Sequence, residues 1–260
     1  DYLLIESSGI SEPLPVAATF EFRDQDGFSL SDVARLDTMV TVVDAANLLK
    51  DYASSDFLAE RGETASESDD RMLVDLLVEQ IEFADVIVLN KVGASGHSNL
   101  DAARKIITGL NPVARRIETD FCSINLADIL GTGRFDFDRA HTHPLWYKEL
   151  HEPGSHIPET EEYGISSFVY RARRPFDPQK FAAFTERSWD GVVRAKGFFW
   201  LATRPGDVGE LSHAGAIVRT SKLGIWWASV PDRRWPEDQE TRALIRDRFD
   251  PVWGDRRQEI

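Results

Sequence analysis

The chain has 260 residues, 42% of them apolar and 28% charged, and 44 acidic against 30 basic side chains leave a net charge of −14, the balance of one large or two ordinary globular domains. No apolar run reaches the roughly 18 residues that cross a bilayer, no charged-then-apolar leader opens the sequence, and basic residues gather only in short groups such as Arg171-Ala172-Arg173-Arg174 and Asp255-Arg256-Arg257. A membrane span, a secretory signal and a nucleic-acid-binding stripe are therefore not expected, and a single cysteine, Cys122, excludes an internal disulfide and fits the cytoplasm.

In chain order, Tyr2-Leu3-Leu4-Ile5 is a short apolar run before a Ser/Gly cluster, the pattern of a buried parallel strand. It starts at the first residue, and Gly254 to Ile260 ends where another strand begins, so the sequence reads as a piece of a longer protein. Met39 to Asp44 and Asp85 to Asn90 are two further buried-strand runs, with a third strand over Ala114 to Ile117. Between the first two, apolar residues at 72, 73, 76, 77, 80/81 and 83/84 predict a helix over Arg71 to Ala84 with one buried face. A second helix covers Leu100 to Leu110 and stops at Asn111-Pro112. Strand, helix, strand at these lengths implies an α/β domain with a parallel sheet and right-handed crossovers. Ligands in such sheets lie at the carboxyl ends of the strands, where Glu6, Asp44 and Asn90-Lys91 fall.

Residues 51–70, rich in acids, Ser and Gly, read as a solvated loop, and 131–163, with four of the six histidines, as a linker. Past Ile165 the texture becomes α+β. Strands are expected at Ser167 to Ala172, Gly197 to Ala202 and Gly224 to Val230, and helices at Pro178 to Arg187 and Glu237 to Phe249. Phe198, Trp200 and Trp226 read as core, and Trp235, between Arg233-Arg234 and Pro236, as exposed.

Glu6-Ser7-Ser8-Gly9 places an acid, two small residues and a glycine after a strand. In a nucleotide switch, Glu6 would reach Mg²⁺ or its waters and the Gly9 N–H a γ-phosphate; the alternative is an ordinary helix cap. Asn90-Lys91 follows its strand as in an Asn-Lys-x-Asp segment, where Asn ties neighbouring loops, the Lys stem stacks on guanine and Asp reads two N–H donors of the ring. Together these runs require Glu6 and Asn90 at one rim of one sheet.

On Ile5-Glu6-Ser7-Ser8-Gly9-Ile10-Ser11-Glu12-Pro13, Val43-Asp44-Ala45 and Val88-Leu89-Asn90-Lys91-Val92, the sequence resembles the CobW family of P-loop GTPases. Ser166 to Arg174, Lys196 to Ala202 and Trp253 to Gln258 resemble that family's C-terminal domain, and the likeness is closest to its zinc-responsive branch. The resemblance implies a partial GTPase domain over 1–140, a His-containing linker over 141–163 and a CobW C-terminal domain over 164–260. It implies GTP hydrolysis with Mg²⁺, coupled to handing zinc or cobalt to a client metalloprotein. Glu6 and Gly9 would then be catalytic, Asp44, Asn90, Lys91, Val92 and Gly93 would hold the nucleotide, and Glu6 and Glu12 would face metal.

Two departures stand out. The family's Gly-rich phosphate loop and Cys-x-Cys-Cys motif are not in these residues, so the 260 residues alone are expected neither to bind nucleotide tightly nor to hydrolyse it. Position 93 is Gly where the family has Asp. Losing a carboxylate that accepts two hydrogen bonds removes roughly 3–6 kcal/mol of gross contact, so guanine preference is expected to weaken about a hundredfold or more.

Several residues keep two readings. His141-Thr142-His143, with Glu149, His151 or Glu152, either chelates a metal or reflects linker composition. Cys122 reads as a small buried hydrophobe. Asp44 faces Mg²⁺ or caps a loop, and Glu12-Pro13 belongs to the switch or simply starts a helix. A non-catalytic adaptor, or cobalt insertion in cobalamin synthesis, is the rival function.

Overall fold

The structure, a computed structural model, describes residues 2–21, 23, 27–58, 71–136, 166 and 168–260. The chain divides into two units, residues 1–166 and 167–260.

In the first unit, β1 (Val40–Asp44), β2 (Val86–Asn90) and β3 (Arg115–Glu118) form a parallel sheet in that order. The register sets Asp44 opposite Asn90 and Leu89 opposite Glu118, so the three strands end at one level. Val86, Ile87, Val88 and Leu89 of central β2 are all buried, as an unbroken apolar run requires when a parallel strand is covered on both faces. Helix α1 (Pro13–Glu21) opens on Pro13, whose missing N–H costs nothing in a first turn. A short α2 (Leu48–Tyr52) follows β1, α3 (Leu73–Glu82) leads into β2, and α4 (Val92–Ser95) and α5 (His97–Leu110) connect β2 to β3.

The α3 helix lies within the predicted bounds, and of the expected positions Met72, Leu76, Ile81 and Ala84 are buried, joined by Val74 and Val78. Packing against both α2 and α5 widens the covered side, and Leu73 and Leu77 end half-buried. The turn into β3 hangs on Asn111, which is 1% exposed. Its Nδ2 donates to the carbonyls of Ile81, Glu82 and Ala84 at 2.8, 3.1 and 2.9 Å, and its Oδ1 accepts from the Ala114 N–H at 3.0 Å. One side chain thus satisfies the last carbonyls of α3 and starts β3.

Two expectations fail here. Tyr2 to Ile5 form no strand: these residues are 57–73% exposed and lie outside the three-stranded sheet. Apolarity marked them as strand-like, but a strand persists only where an edge pairs with it, and β1 pairs with β2 alone in that sheet. The acidic loop begins later than residue 51, because Asp51 and Tyr52 complete α2 and the Tyr52 side chain is buried.

The second unit is a five-stranded sheet in the order β4-β8-β5-β6-β7, with β4 Arg171–Ala172, β5 Arg194–Leu201, β6 Arg204–Ala214, β7 Ile217–Ile225 and β8 Gln258–Glu259. Its pairings are antiparallel. Helix α6 (Pro178–Thr185) is capped by Asp177, which accepts from the Gln179 and Lys180 N–H groups, and lays Phe181 against Phe199 at 4.3 Å between ring centres. Alternation along β5 sends Phe198 and Trp200 to other rings, Trp226 and Trp253. Arg257 lies 4.8 Å over Phe198 and Arg256 5.9 Å over Trp200, so the basic groups near 255 serve packing. A last helix, α7, spans Gln239–Asp247.

The expected strand over Gly224 to Val230 is corrected: β7 ends at Ile225 and Trp227–Ser229 is a 3₁₀ turn. The strand near 167–172 shrinks to two residues. Trp235 is half-buried, donating Nε1–H to the Val230 carbonyl at 3.0 Å and packing edge-on to Trp227. The β6–β7 hairpin was not anticipated, although Gly215 at φ +56° opens its two-residue turn.

Candidate functional site at the strand ends of the parallel sheet

The carboxyl ends of β1, β2 and β3 converge on one hydrogen-bonded network. The chain after β1 stays registered, since the Ala45 N–H donates to the Asn90 carbonyl at 2.9 Å. Asp44 Oδ1 accepts from the N–H groups of Ala46 and Asn47 at 2.9 and 3.2 Å, and Oδ2 from Asn47 Nδ2 and Lys91 Nζ at 2.9 and 2.7 Å. Asp44 therefore caps its own turn and holds Lys91. Partial burial pushes its pKa up, but the bonds from Lys91, Asn47 and Ala46 and the lysine charge outweigh that, and the net direction is down. The same contact raises Lys91 above its ordinary value.

Asn90 Oδ1 accepts from the Cys122 N–H at 3.0 Å, tying the loop after β2 to the loop after β3. The Val92 N–H reaches the Thr119 carbonyl at 3.4 Å. The Gly93 N–H donates to both carboxylate oxygens of Asp120, at 3.1 and 3.2 Å. Within the second loop, Thr119 Oγ1 donates to the Ser123 carbonyl at 2.9 Å and the Ser123 N–H to the Asp120 carbonyl at 3.2 Å.

Backbone strain concentrates here. Among the described residues the only non-glycines with positive φ are Lys91 at +62°, Phe121 at +57° and Cys122 at +51°. A left-handed backbone costs an L-residue about 1 kcal/mol or more, and such outliers persist where the surroundings over-determine them and gather at ligand sites. Phe121 is 97% exposed. Cys122 is exposed and unbonded to another cysteine, contrary to its reading as a buried hydrophobe. Its N–H is committed to Asn90, and the turn leaves the thiol outside.

The other expected residues sit in a different set of contacts. Gln80 Nε2 of α3 donates to the Gly9 and Ser11 carbonyls at 2.8 and 3.1 Å. Arg71 Nη1 donates to the Ile10 carbonyl and to Glu12 Oε1, both at 3.1 Å. Glu6 is exposed, on a segment outside the sheet, so the expected strand that would carry it to the rim of β2 is absent. Glu12 faces an arginine and immediately precedes α1. His141 and His143, with Glu149, His151 and Glu152, lie outside the described residues. Among the described residues no group of three or more His, Cys, Asp or Glu side chains could hold a metal ion, and no helix is long and apolar enough to cross a membrane.

Sequence reasoning missed Asp120, Asn111 and Gln80. Asp120 had a usable signal, because it follows β3 as Asp44 and Asn90 end β1 and β2. Asn111 and Gln80 act across 27 to 71 residues of chain and have no local signature.

Residues 1–118 match the CobW/HypB/UreG nucleotide-binding domain, and residues 165–260 the cobalamin synthesis protein cobW C-terminal domain. Over its whole length the chain is 42% identical to zinc-regulated GTPase metalloprotein activator 1 of Dictyostelium discoideum, of which it covers 55%. It is 32% identical to a zinc chaperone of Mycobacterium tuberculosis over 79% of this chain and 46% of that one. The chain spans about half the length of these curated relatives. A zinc-bound YjiA GTPase from E. coli aligns over 85% of this chain and 61% of its own at 18% identity and a TM-score of 0.36, a likeness too low to carry an argument. With both domain types matched in order, the first on the unit that carries the Asn90 network and the second on the antiparallel unit, the chain belongs to the CobW family.

Proposed function

We propose that this chain is part of a GTP-hydrolysing metal chaperone that hands zinc to client metalloproteins in the cytoplasm, and that the rim of β1–β3 holds the nucleotide's base. The observation that carries the base site is the convergence of the three left-handed non-glycines on the Asn90–Cys122 bond. A loop pair held under strain by an asparagine is pre-organised for a ligand, so that binding has less conformational freedom to remove. Asn90 fixes the two loops, Asp44 positions Lys91, and the lysine stem offers an apolar surface to a ring. Val92 and Gly93 follow on the same loop, tied to Thr119 and Asp120.

From the family resemblance, and not from the sheet, on which Glu6 does not lie, Glu6 and the Gly9 N–H are assigned to the phosphate side, with Glu6 the carboxylate available to the waters of a Mg²⁺ ion, which keeps most of its coordination from water and phosphate. When bound, Mg²⁺ neutralises developing charge on the phosphates; no step is derived through it. Zinc enters as cargo. The support is that relatives named zinc-regulated GTPase metalloprotein activator and zinc chaperone match this chain; cobalt is the alternative cargo. The domain limits 1–140, 141–163 and 164–260, a metal role for Glu12, and His141 with His143 as transient zinc ligands, complete the proposal.

The test is equilibrium titration of a fluorescent GDP analogue into the protein expressed from its complete gene. Asn90→Ala frees the 119–123 loop and is expected to weaken binding at least tenfold. An unchanged affinity would refute the assignment of the base to this rim.

A further inference from the structure

Position 93 lacks the carboxylate that an Asn-Lys-x-Asp segment uses to read guanine, and the structure brings another carboxylate to that place. A Cβ built on Gly93 would lie 3.0 Å from Asp120 Oδ2 and 3.5 Å from both Cγ and Oδ1. The Asp120 carboxylate therefore already occupies the space into which a side chain at 93 would grow, and the Gly93 N–H holds it there through both oxygens. We propose that Asp120, delivered by the loop after β3, is the base-reading residue of this protein and restores the guanine preference that Gly93 alone would forfeit. This rests on the nucleotide reading above.

The chemistry fits. A carboxylate offers about four lone-pair positions; the single Gly93 N–H shared between the oxygens leaves capacity on each. Guanine presents N1–H and the exocyclic amino group side by side, two donors for two acceptors. Adenine presents an acceptor at its N1 and no amino group at C2, so the Asp120 carboxylate would meet a lone pair, a mismatch that a site built for donors rejects. The carboxylate is also firmly placed: its own loop is closed by Thr119 and Ser123 and joined to Asn90 through Cys122. Phe121, next in the chain and 97% exposed, is an aromatic plane of the kind on which a base stacks. Gly at 93 and Asp at 120 are complementary: an aspartate at both positions would set two carboxylates against each other, and like charges at that range cannot both stay ionised without cost.

The experiment exchanges one acceptor for a donor. Xanthine carries a carbonyl where guanine carries the amino group, so Asp120→Asn offers it one acceptor and one donor in the matching order. In the protein expressed from its complete gene, displacement of a fluorescent nucleotide by GDP and by XDP reads both affinities without relying on turnover. The expected result is a loss of GDP affinity of about a hundredfold and a gain for XDP of about tenfold. The double variant Gly93→Asp with Asp120→Ala, which clears the space at 93, is expected to bring GDP preference back, with the thermal midpoint followed to confirm folding. A GDP-over-XDP preference that survives Asp120→Asn overturns the assignment while leaving nucleotide binding intact. Loss of both nucleotides in Asp120→Asn that the double variant does not rescue overturns it too. A wild-type protein that binds neither nucleotide overturns the underlying functional reading itself.

Discussion

The polar residues at the strand ends of the first unit and those in and before β8 of the second are used differently. In the first, Asp44, Asn90 and Asp120 stand at strand ends, partly or fully open to water, and each holds a loop. In the second, Asp255 is 4% exposed, Gln258 0% and Glu259 9%. Asp255 there accepts from the Trp227 and Ala228 N–H groups at 2.9 Å each, and Glu259 pairs with Arg171 and Arg257. Backbone strain divides the same way. Among the described residues every positive φ in the second unit belongs to a glycine, Gly191, Gly215 or Gly254, whereas the first unit forces Lys91, Phe121 and Cys122 into that region. Glycine accepts a left-handed turn without penalty. A fold that holds lysine, phenylalanine and cysteine there keeps side chains at a cost, which points to ligand chemistry in the first unit and to turns built on glycine in the second.

The comparison can be broken most forcefully at Asn111. Asn111→Ala removes four hydrogen bonds that its side chain makes to buried backbone groups, a loss of up to about 4 kcal/mol for the first unit. Six of the seven tryptophans lie past residue 188, so tryptophan fluorescence reports the second unit. The variant is expected to lose far-UV dichroism of the parallel unit at lower denaturant while the fluorescence midpoint holds. Midpoints that move together would show that the units do not stand apart energetically.

Gly197→Ala makes the reverse test. Its Cβ would collide with the Glu259 carbonyl oxygen, backbone that can retreat only by parting β8 from β5, at a cost of about 3 kcal/mol. Here the fluorescence midpoint should drop and guanine-nucleotide affinity should not.

The smallest effect belongs to His213, 2% exposed and stacked on Trp189 at 5.1 Å. Burial, with the Arg194 charge second, holds its imidazole below the ordinary 6.5. As pH falls the unfolded chain takes the proton first, so this residue's contribution to stability is whole above about 6.5 and declines below it. Fluorescence-detected denaturation at pH 7.5 and 5.5 should show the lower midpoint at 5.5, and His213→Phe should narrow the gap.

Apolar periodicity and strand-end polarity determined much of this protein by themselves. The runs Met39 to Asp44 and Asp85 to Asn90, and the helix stopped by Asn111-Pro112, were legible because burial of a regular element writes its period into the chain. The place of Asp44 and Asn90-Lys91 at the strand ends was legible because the polar residue that closes a buried apolar run marks where the strand stops. The edge strand β7, with Arg219, Thr220, Ser221 and Lys222 exposed, hid for the converse reason: a solvated strand carries no apolar signal. Tyr2 to Ile5 misled because apolarity records a preference for burial and not the existence of a partner edge. Only the tertiary structure decided that Asp120 answers Gly93. That meeting depends on β3 lying beside β2 in a register that sets Glu118 opposite Leu89, and hydrogen bonds across 27 residues of chain are fixed by sheet pairing, which no local pattern encodes.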